Sequence, residues 1–530
     1  MVFKGKRILV LCKEYYSYPF YFLVQKWKQE NEVAAFFFNP PETKYAKCSL
    51  NDMTYYAFKE LEGVKLYTSD HIADEFTSTL EKEEIIDVTF LHEIEEKYTH
   101  FRNLNNQIMS TQVLTRHYHY RNFFHKSSYY QQLNWLILNY KNVISILDDF
   151  RPDCVLDTDN AELARAVMRE VCYQRGIPYV NVDNSRFENY KLYSYNLNSH
   201  YSLRFAQDYQ RNLEKSDQKL QSRLDDVYDF KAKSVIMNHE FKYNSTSQYE
   251  PSSLIMSLKR IYGLTRYFVA QDAAGNNRQV KKANPLIYPN SWEYIKFTAN
   301  FECRKQLLMR KNRFFHEPEE VDYVYMPLHL IPESTTFSVS PMYVNELFLI
   351  EAISKSLPAG WWLYVKEHQS MVGERKVEFY EKVNRLPNVK MVQINYYKDP
   401  KPWIIKSRGV VTISGTTAFE AAMLGKHAIV LADTPFSLIE GVERLLSIED
   451  MPLAIARFKQ PLHNEKSCAA YLQTVMEQGF PINMMQLLLD GEKILRGKKQ
   501  KDETYQSNLD QLEQLFLKGC EDYLICDKDA

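Results

Sequence analysis

Apolar residues along the chain fall into short solid runs separated by stretches that repeat about every third or fourth position. Short β-branched and leucine-rich runs predict parallel strands buried on both faces, and the spaced pattern predicts helices laid over them. Arg7 to Cys12 (RILVLC) is the first such run, and residues 32–40 (EVAAFFFNP) and 63–69 (GVKLYTS) predict further strands. A long pattern rich in Tyr, His and Asn predicts helix from about residue 83 to residue 150. Residues 153–159 (DCVLDTD), 161–176 and 177–183 (IPYVNVD) then read as strand, helix and strand, with Gly176 as the helix stop. Such a βαβ unit implies parallel pairing and a right-handed crossover.

A second alternating series starts at Val321. Strands are predicted over 321–328 (VDYVYMPL), 361–367 (WWLYVKE), 389–394 (VKMVQI), 409–414 (GVVTIS) and 427–433 (HAIVLAD). Helices are predicted between them over 342–357, 373–386, 400–407 and 416–424. Between the two series, residues 201–320 are polar and in places basic (KRIYGLTRYF, NRQVKKAN, RKQLLMRKNRFF), and read as a helical connector or insertion. Their charge suits either a solvated face or a partner surface. After Gly441 the chain turns helical and ends in an amphipathic stretch at 508–524. The expected architecture is α/β, with two facing Rossmann-like domains. The boundaries predicted are 1–200 and 321–480 for the two domains, 201–320 for the connector and 481–530 for a helical tail. In open parallel sheets ligands bind outside the carboxyl ends of the strands, so chemistry is expected in the strand-to-helix loops.

Composition narrows the function classes. Of 530 residues, 66 are Lys or Arg and 67 are Asp or Glu, a formal net charge of −1 that argues against a general nucleic-acid binder. Eight cysteines lie far apart with neither a CxxC pair nor a zinc spacing, which fits reduced thiols in a cytoplasmic protein. The apolar part of the N-terminus, Ile8 to Cys12, is too short for a signal peptide's core, and no window approaches the ~20 apolar residues of a membrane span. A soluble cytoplasmic protein is expected, with docking on the inner-membrane surface left open.

Three polar loops emerge from one edge of the second predicted sheet. Ser414, Gly415, Thr416 and Thr417 lie between a strand and a helix, where exposed N–H groups and the helix dipole favour an anion. Glycine there lets backbone approach a ligand, although Ser/Thr caps and Gly turns are also ordinary α/β punctuation. Glu420, one turn on, suits either a ligand contact or a solvated helix face. Lys366 and His368 follow the strand WWLYVKE, and a lysine beside an imidazole suits a phosphate or a sugar carboxylate. The third loop, PLHLIPESTTF, offers His329 and Glu333 as acid or base. In the first series Asp157 and Asp159 follow one strand, and Asn184 and Arg186 follow another. An aspartate here is either a base for an incoming hydroxyl or a helix cap; Arg186 suits an acidic acceptor. His117 and His119 stand two apart, so a helix would turn them away from each other and a metal site is not expected.

The segment from about Tyr323 to Phe436 resembles bacterial capsule polysaccharide biosynthesis proteins, the group that includes Kdo transferases. The family's strand into Pro-Leu-His/Gln…Pro-Glu-x-Thr-Thr, its Val-Lys-Glu-His-Pro and its Ser/Thr-Gly-Thr…Glu-Ala…Gly-Lys appear in order as MPLHLIPESTT, VKEHQSM and TISGTTAFEAAMLGK. The resemblance implies a GT-B, metal-independent Leloir glycosyltransferase with a nucleotide sugar, CMP-Kdo or another, as co-substrate and no resident cofactor. It implies a polysaccharide or lipid-linked saccharide acceptor. Lys366 and His368 would contact the donor phosphate, with His329 beside them. Ser414, Gly415, Thr416 and Thr417 would meet the nucleotide, Glu420 its ribose, and Glu333 would lie near the sugar. Asp157, Asp159 or Glu333 would assist the acceptor hydroxyl, and Asn184 and Arg186 would hold the acceptor.

Two positions depart from the family pattern. Gln369 follows His368, and His427 follows Lys426, where the family has proline; each change restores an N–H and loosens the chain. A non-hydrolysing sugar-nucleotide 2-epimerase shares a similar Ser-Gly…Glu-Ala helix start, but Phe419 stands at its first Glu. A non-catalytic GT-B scaffold in polysaccharide assembly is the remaining alternative.

Overall fold

The computed structural model describes residues 3–13, 16–37, 52–79, 82–99, 104–105, 107, 128–159, 163–197, 199–236, 254–273, 291–311, 314–331, 340–394, 396–397 and 399–526. Two sheets organise them, as the two apolar series predict. The first has seven strands in the order β13-β6-β5-β4-β1-β2-β3. These are β1 (Arg7–Cys12), β2 (Glu32–Phe37), β3 (Val64–Thr68), β4 (Cys154–Asp157), β5 (Tyr179–Asn184), β6 (Tyr190–Ser194) and β13 (Phe480–Pro481). Strands β1 to β5 run parallel; β6 returns antiparallel along β5, and β13 antiparallel along β6.

The second sheet has six parallel strands in the order β12-β11-β10-β7-β8-β9. They are β7 (Tyr323–Pro327), β8 (Trp362–Lys366), β9 (Val389–Val392), β10 (Gly409–Thr412), β11 (Ala428–Val430) and β12 (Val442–Arg444). Chain direction along each sheet reverses at its middle, between β1 and β4 in the first and between β7 and β10 in the second. Those two switch points are where open α/β sheets leave a crevice.

Solid apolar runs are needed because each strand feeds a core on both faces. From β1, Leu9 and Leu11 join the cluster under the helices Tyr129–Phe150 and Leu163–Gln174, while Ile8, Val10 and Cys12 join the one under Ser17–Trp27 and Glu503–Cys526. From β7, Tyr323 and Tyr325 face one way and Val324 and Met326 the other.

The chain's last segment is more than a tail. After β13, the helix Glu503–Cys526 lies on the first sheet, where a Cβ at Gly519 would stand 2.5 Å from Val180, and the helix Met484–Leu495 packs on it and on Ser17–Trp27. Trp27 Nε1 donates to Glu513 at 2.8 Å in that seam. Within the 201–320 stretch, the helices Leu203–Leu213 and Asp217–Ala232 pack on the helix Glu465–Gln478, with Tyr209 Oη 2.8 Å from Ser467 Oγ and Asn212 donating to Thr474 at 2.9 Å. Six cysteines among the described residues are free thiols, and only Cys303 of them is exposed. No helix among the described residues is long and apolar enough to cross a membrane.

The two sheets meet through named contacts. Asp433, beyond β11, accepts from Ser199 at 2.6 Å and Tyr201 at 2.9 Å, and its carbonyl accepts the His200 N–H at 3.0 Å. Tyr471 donates to the Ser185 carbonyl at 2.6 Å, just past β5. These contacts set the turn after β5 and the segment after β6 against the helix Glu465–Gln478 and the loop after β11.

Candidate functional site

Three loops at the carboxyl edge of the second sheet come together as predicted. His329 follows β7 and is buried. Its N–H donates to Glu346 Oε1 at 2.6 Å and its Nδ1 lies 3.3 Å from the same oxygen. Nε2 is 3.2 Å from Thr412 Oγ1, which also accepts the Gly415 N–H at 3.2 Å. The carboxylate can only accept, so Nδ1 carries a proton toward Glu346. A chain of hydrogen bonds thus ties the loop after β7 to the loop after β10, across the sheet's switch point.

Gly415 is where this chain admits no side chain. A Cβ there would lie 2.5 Å from Thr412 Oγ1 and 3.5 Å from His329 Nε2. Gly415→Ala is expected to push the hydroxyl off His329 at an overpacking cost of about 1–3 kcal/mol. The measurement is a melting curve; a variant with parental stability would contradict this geometry.

Ser414 is buried, and Thr416 and Thr417 are half-buried. Thr416 occupies the cap position of the helix Thr417–Met423, and its side chain makes no capping bond. Gly425 ends that helix at φ +70°, with its N–H on the Ala422 carbonyl and the Lys426 N–H on the Ala421 carbonyl. That is a Schellman stop, and it hands the chain directly to β11.

Lys366 closes β8, its carbonyl accepting from the Leu328 N–H at 2.8 Å. Burial pulls its ammonium down to about 8, against the pull of Glu420, Asp399 and Glu367. Burial likewise drives Glu420 up to about 8, and Asp399 adds to it; Arg186 and Lys366 oppose the rise. The His368 imidazole is held down at about 4, first by burial and then by the charges of His329, Lys366 and Arg375. It is therefore neutral near pH 7, and an arriving anion would favour its protonation.

Beneath this surface lies a set of buried ions that the sequence did not announce. Arg375 is completely buried between Glu346 and Glu367, at 2.8 Å from Glu367 Oε2, and its Nη2 donates to the His329 carbonyl at 3.1 Å. Tyr380 donates to Glu367 at 2.7 Å, and Glu367 Oε1 accepts the His368 N–H at 2.7 Å. The network fixes the backbone of both histidines. Asp399 and Thr412 were also missed. Asp399 accepts the Lys401 and Ile236 N–H groups, both at 2.9 Å. The polar residue closing the apolar run at Thr412 was the one local signal available.

Of the candidates named after the first sheet's strands, Arg186 is the one whose charge reaches the site. It sits in the turn from β5 to β6 at φ +68°, a left-handed conformation rare outside glycine, and its charge acts on both Glu420 and Tyr471. Asn184 is exposed and accepts from Lys191 at 2.8 Å. Asp157 and Asp159 form a different cluster. Asp157 is wholly buried, accepting from Tyr179 at 2.6 Å and the Thr158 N–H at 2.8 Å, with Arg165 Nε at 2.9 Å. Burial raises it to about 6, against Arg165. Asp159 pairs with the same arginine at 2.8 Å. Glu333 lies outside the described residues, as do His117 and His119.

No family model matches the chain, and no curated protein matches it. Among solved structures it is similar to a putative UDP-N-acetylglucosamine 2-epimerase from Listeria monocytogenes, at 10% identity over 89% of this chain and 91% of that one, with a TM-score of 0.25. It is similar to KpsC, a beta Kdo 2,4 transferase from Thermosulfurimonas dismutans, at 12% identity over 66% of this chain and 87% of that one, TM-score 0.30. It is also similar to the glycotransferase of kitacinnamycin, at 12% identity over 94% of this chain and all (100%) of that one, TM-score 0.23.

Proposed function

We propose that the chain is a nucleotide-sugar-dependent glycosyltransferase of GT-B type, acting on a growing surface polysaccharide or a lipid-linked saccharide. CMP-Kdo is the donor its capsule-family motifs suggest. One observation carries the reading: Lys366 from the second sheet and Arg186 from the first both bring positive charge to Glu420. Cations from both sheets, near a neutral imidazole and the Gly415 backbone, suit a substrate with phosphate at its centre. In this reading Lys366 and Arg186 take up the charge that develops on the departing phosphate, doing with side chains what a metal does elsewhere. The hydrogen-bonded chain from Glu346 through His329 to Thr412 and Gly415 holds the nucleotide loop in place. In this reading the acceptor's base is Glu333, which the resemblance to the capsule family puts near the sugar.

The test is a melting-temperature screen with CMP-, UDP- and GDP-linked sugars. One nucleotide class should stabilise the protein, and Lys366→Ala combined with Arg186→Ala should remove the shift. A shift that survives in the double variant, or none with any of the three, would sink the reading.

A further inference from the structure

The helices Leu254–Ala273 and Ser291–Lys311 pack against each other through a partly polar seam. Ser257 donates to Glu302 at 2.7 Å, Arg260 pairs with the same carboxylate, and Gln306 donates to Ser257 at 3.2 Å. Glu302 is buried there, at 1% exposure. Leu308 is buried, but other apolar side chains of the pair stand in solvent. Leu254, Ile255, Leu258, Tyr262 and Val269 on the first helix are 56–67% exposed, and Trp292 on the second is 71% exposed. At about 3.6 residues per turn, those on the first helix fall on one stripe. Lys259 and Arg266 flank the stripe, and Lys296 stands one turn from Trp292; all three are exposed.

Such an arrangement is costly in water and favourable where the stripe meets an apolar phase. The charge identifies which one. These two helices carry eight Lys or Arg against three Asp or Glu, in a chain whose net charge is −1. A protein partner's apolar groove does not require the cationic rim, whereas an anionic lipid surface attracts it while taking up the Leu, Tyr and Trp side chains. We propose that this helix pair docks the protein peripherally on an anionic membrane surface, apolar stripe inward and basic rim at the headgroups.

The base of the pair connects to the candidate site. Arg304 Nε donates to the Gly373 carbonyl at 2.7 Å, in the segment between His368 and Arg375. A Cβ at Gly373, which sits at φ +93°, would stand 2.9 Å from the Phe301 carbonyl oxygen. Docking would therefore hold the loop carrying His368 in a fixed relation to the membrane, as an acceptor with a lipid anchor requires. The docking itself stands whether or not the nucleotide reading does.

The test is co-sedimentation of the full chain with phosphatidylcholine vesicles, with and without phosphatidylglycerol. Binding is expected only to the anionic vesicles, with release by salt. Leu258→Asp with Tyr262→Asp, and separately Lys259→Glu with Arg266→Glu, should each lower partition about tenfold or more. Melting curves and the nucleotide-sugar shift should stay parental, which separates this test from that of the donor site. A second readout needs no folding-sensitive variant: brominated lipid should quench parental tryptophan fluorescence, and Trp292→Phe should remove most of that quenching. Absence of vesicle binding and of quenching would overturn the proposal. So would variants that bind as the parent does, or an apolar variant that only turns a dimer into a monomer.

Discussion

Replacing Arg375 by leucine is expected to destabilise the second domain by about 3–5 kcal/mol, the cost of removing one partner from a buried ionic group. Arg375 stands between Glu346 and Glu367, and all three side chains are excluded from solvent. Leucine fills much of the volume but leaves two carboxylates with no cation in a medium that solvates them poorly. The pH dependence identifies the cause. In the parent, burial works to raise Glu346, but Arg375 and His329 hold it below its ordinary value. That pair's stabilisation is thus present above the unfolded carboxyl pKa and is lost as pH falls through the lower folded one. In Arg375→Leu both carboxylates shift upward, so the folded state is penalised most where they must be charged. The melting-temperature gap between parent and variant should be widest near about pH 7 and narrow toward about pH 5. A variant melting with the parent, or a gap that widens with acid, would show that the carboxylates do not depend on Arg375. On the proposed reading, weaker nucleotide binding should accompany the lost stability, since Arg375 also holds the His329 carbonyl and, through Glu367, the His368 N–H.

How much of this was legible depended on how local each cause is. Strands β1, β4, β5 and β7 to β11 were readable because a strand buried on both faces must be apolar throughout. Strand β6, YKLYS, was not, because it alternates and pairs antiparallel with β5. Strands β12 and β13, with three and two residues, carry too little pattern to register. The amphipathic segment near 508–524 was visible as a helix, but nothing near it says that its apolar face belongs to β5 and β6, over 300 residues earlier. The site divides the same way. Strand ends marked His329, Lys366, His368 and the Ser414–Thr417 loop, since position alone puts them at a ligand-facing edge. An aspartate at a strand end reads identically whether it faces a cleft or a neighbouring guanidinium, and Asp157 faces Arg165. The meeting of Arg186 with Glu420, like that of Glu346 with Arg375, is set by tertiary packing and leaves no trace in spacing.

If the proposed glycosyltransferase reading holds, Lys366→Ala is expected to lower kcat/KM about a hundredfold to a thousandfold, the range seen when a group aimed at developing charge is removed. Steady-state kinetics with the nucleotide sugar found by the melting screen would measure it. The sharper expectation concerns pH. Lys366 is drawn down and Glu420 driven up, each to about 8, and the two charges act on each other. They therefore titrate as a pair. Below about 8 the ammonium is charged and the carboxyl neutral, the combination an anionic ligand prefers. As pH rises through that value the site loses a positive charge and gains a negative one, so nucleotide affinity should be level to about pH 7.5 and then fall steeply. His368, held near 4, contributes no step in this range. Two variants separate the partners. Glu420→Gln keeps the carboxyl position neutral and should leave a shallower decline due to Lys366 alone. Lys366→Arg keeps its charge throughout and should leave the decline due to Glu420 alone. Affinity independent of pH to about 9.5 in the parent would place the bound phosphate away from both groups and return the Ser414–Thr417 loop to ordinary helix punctuation.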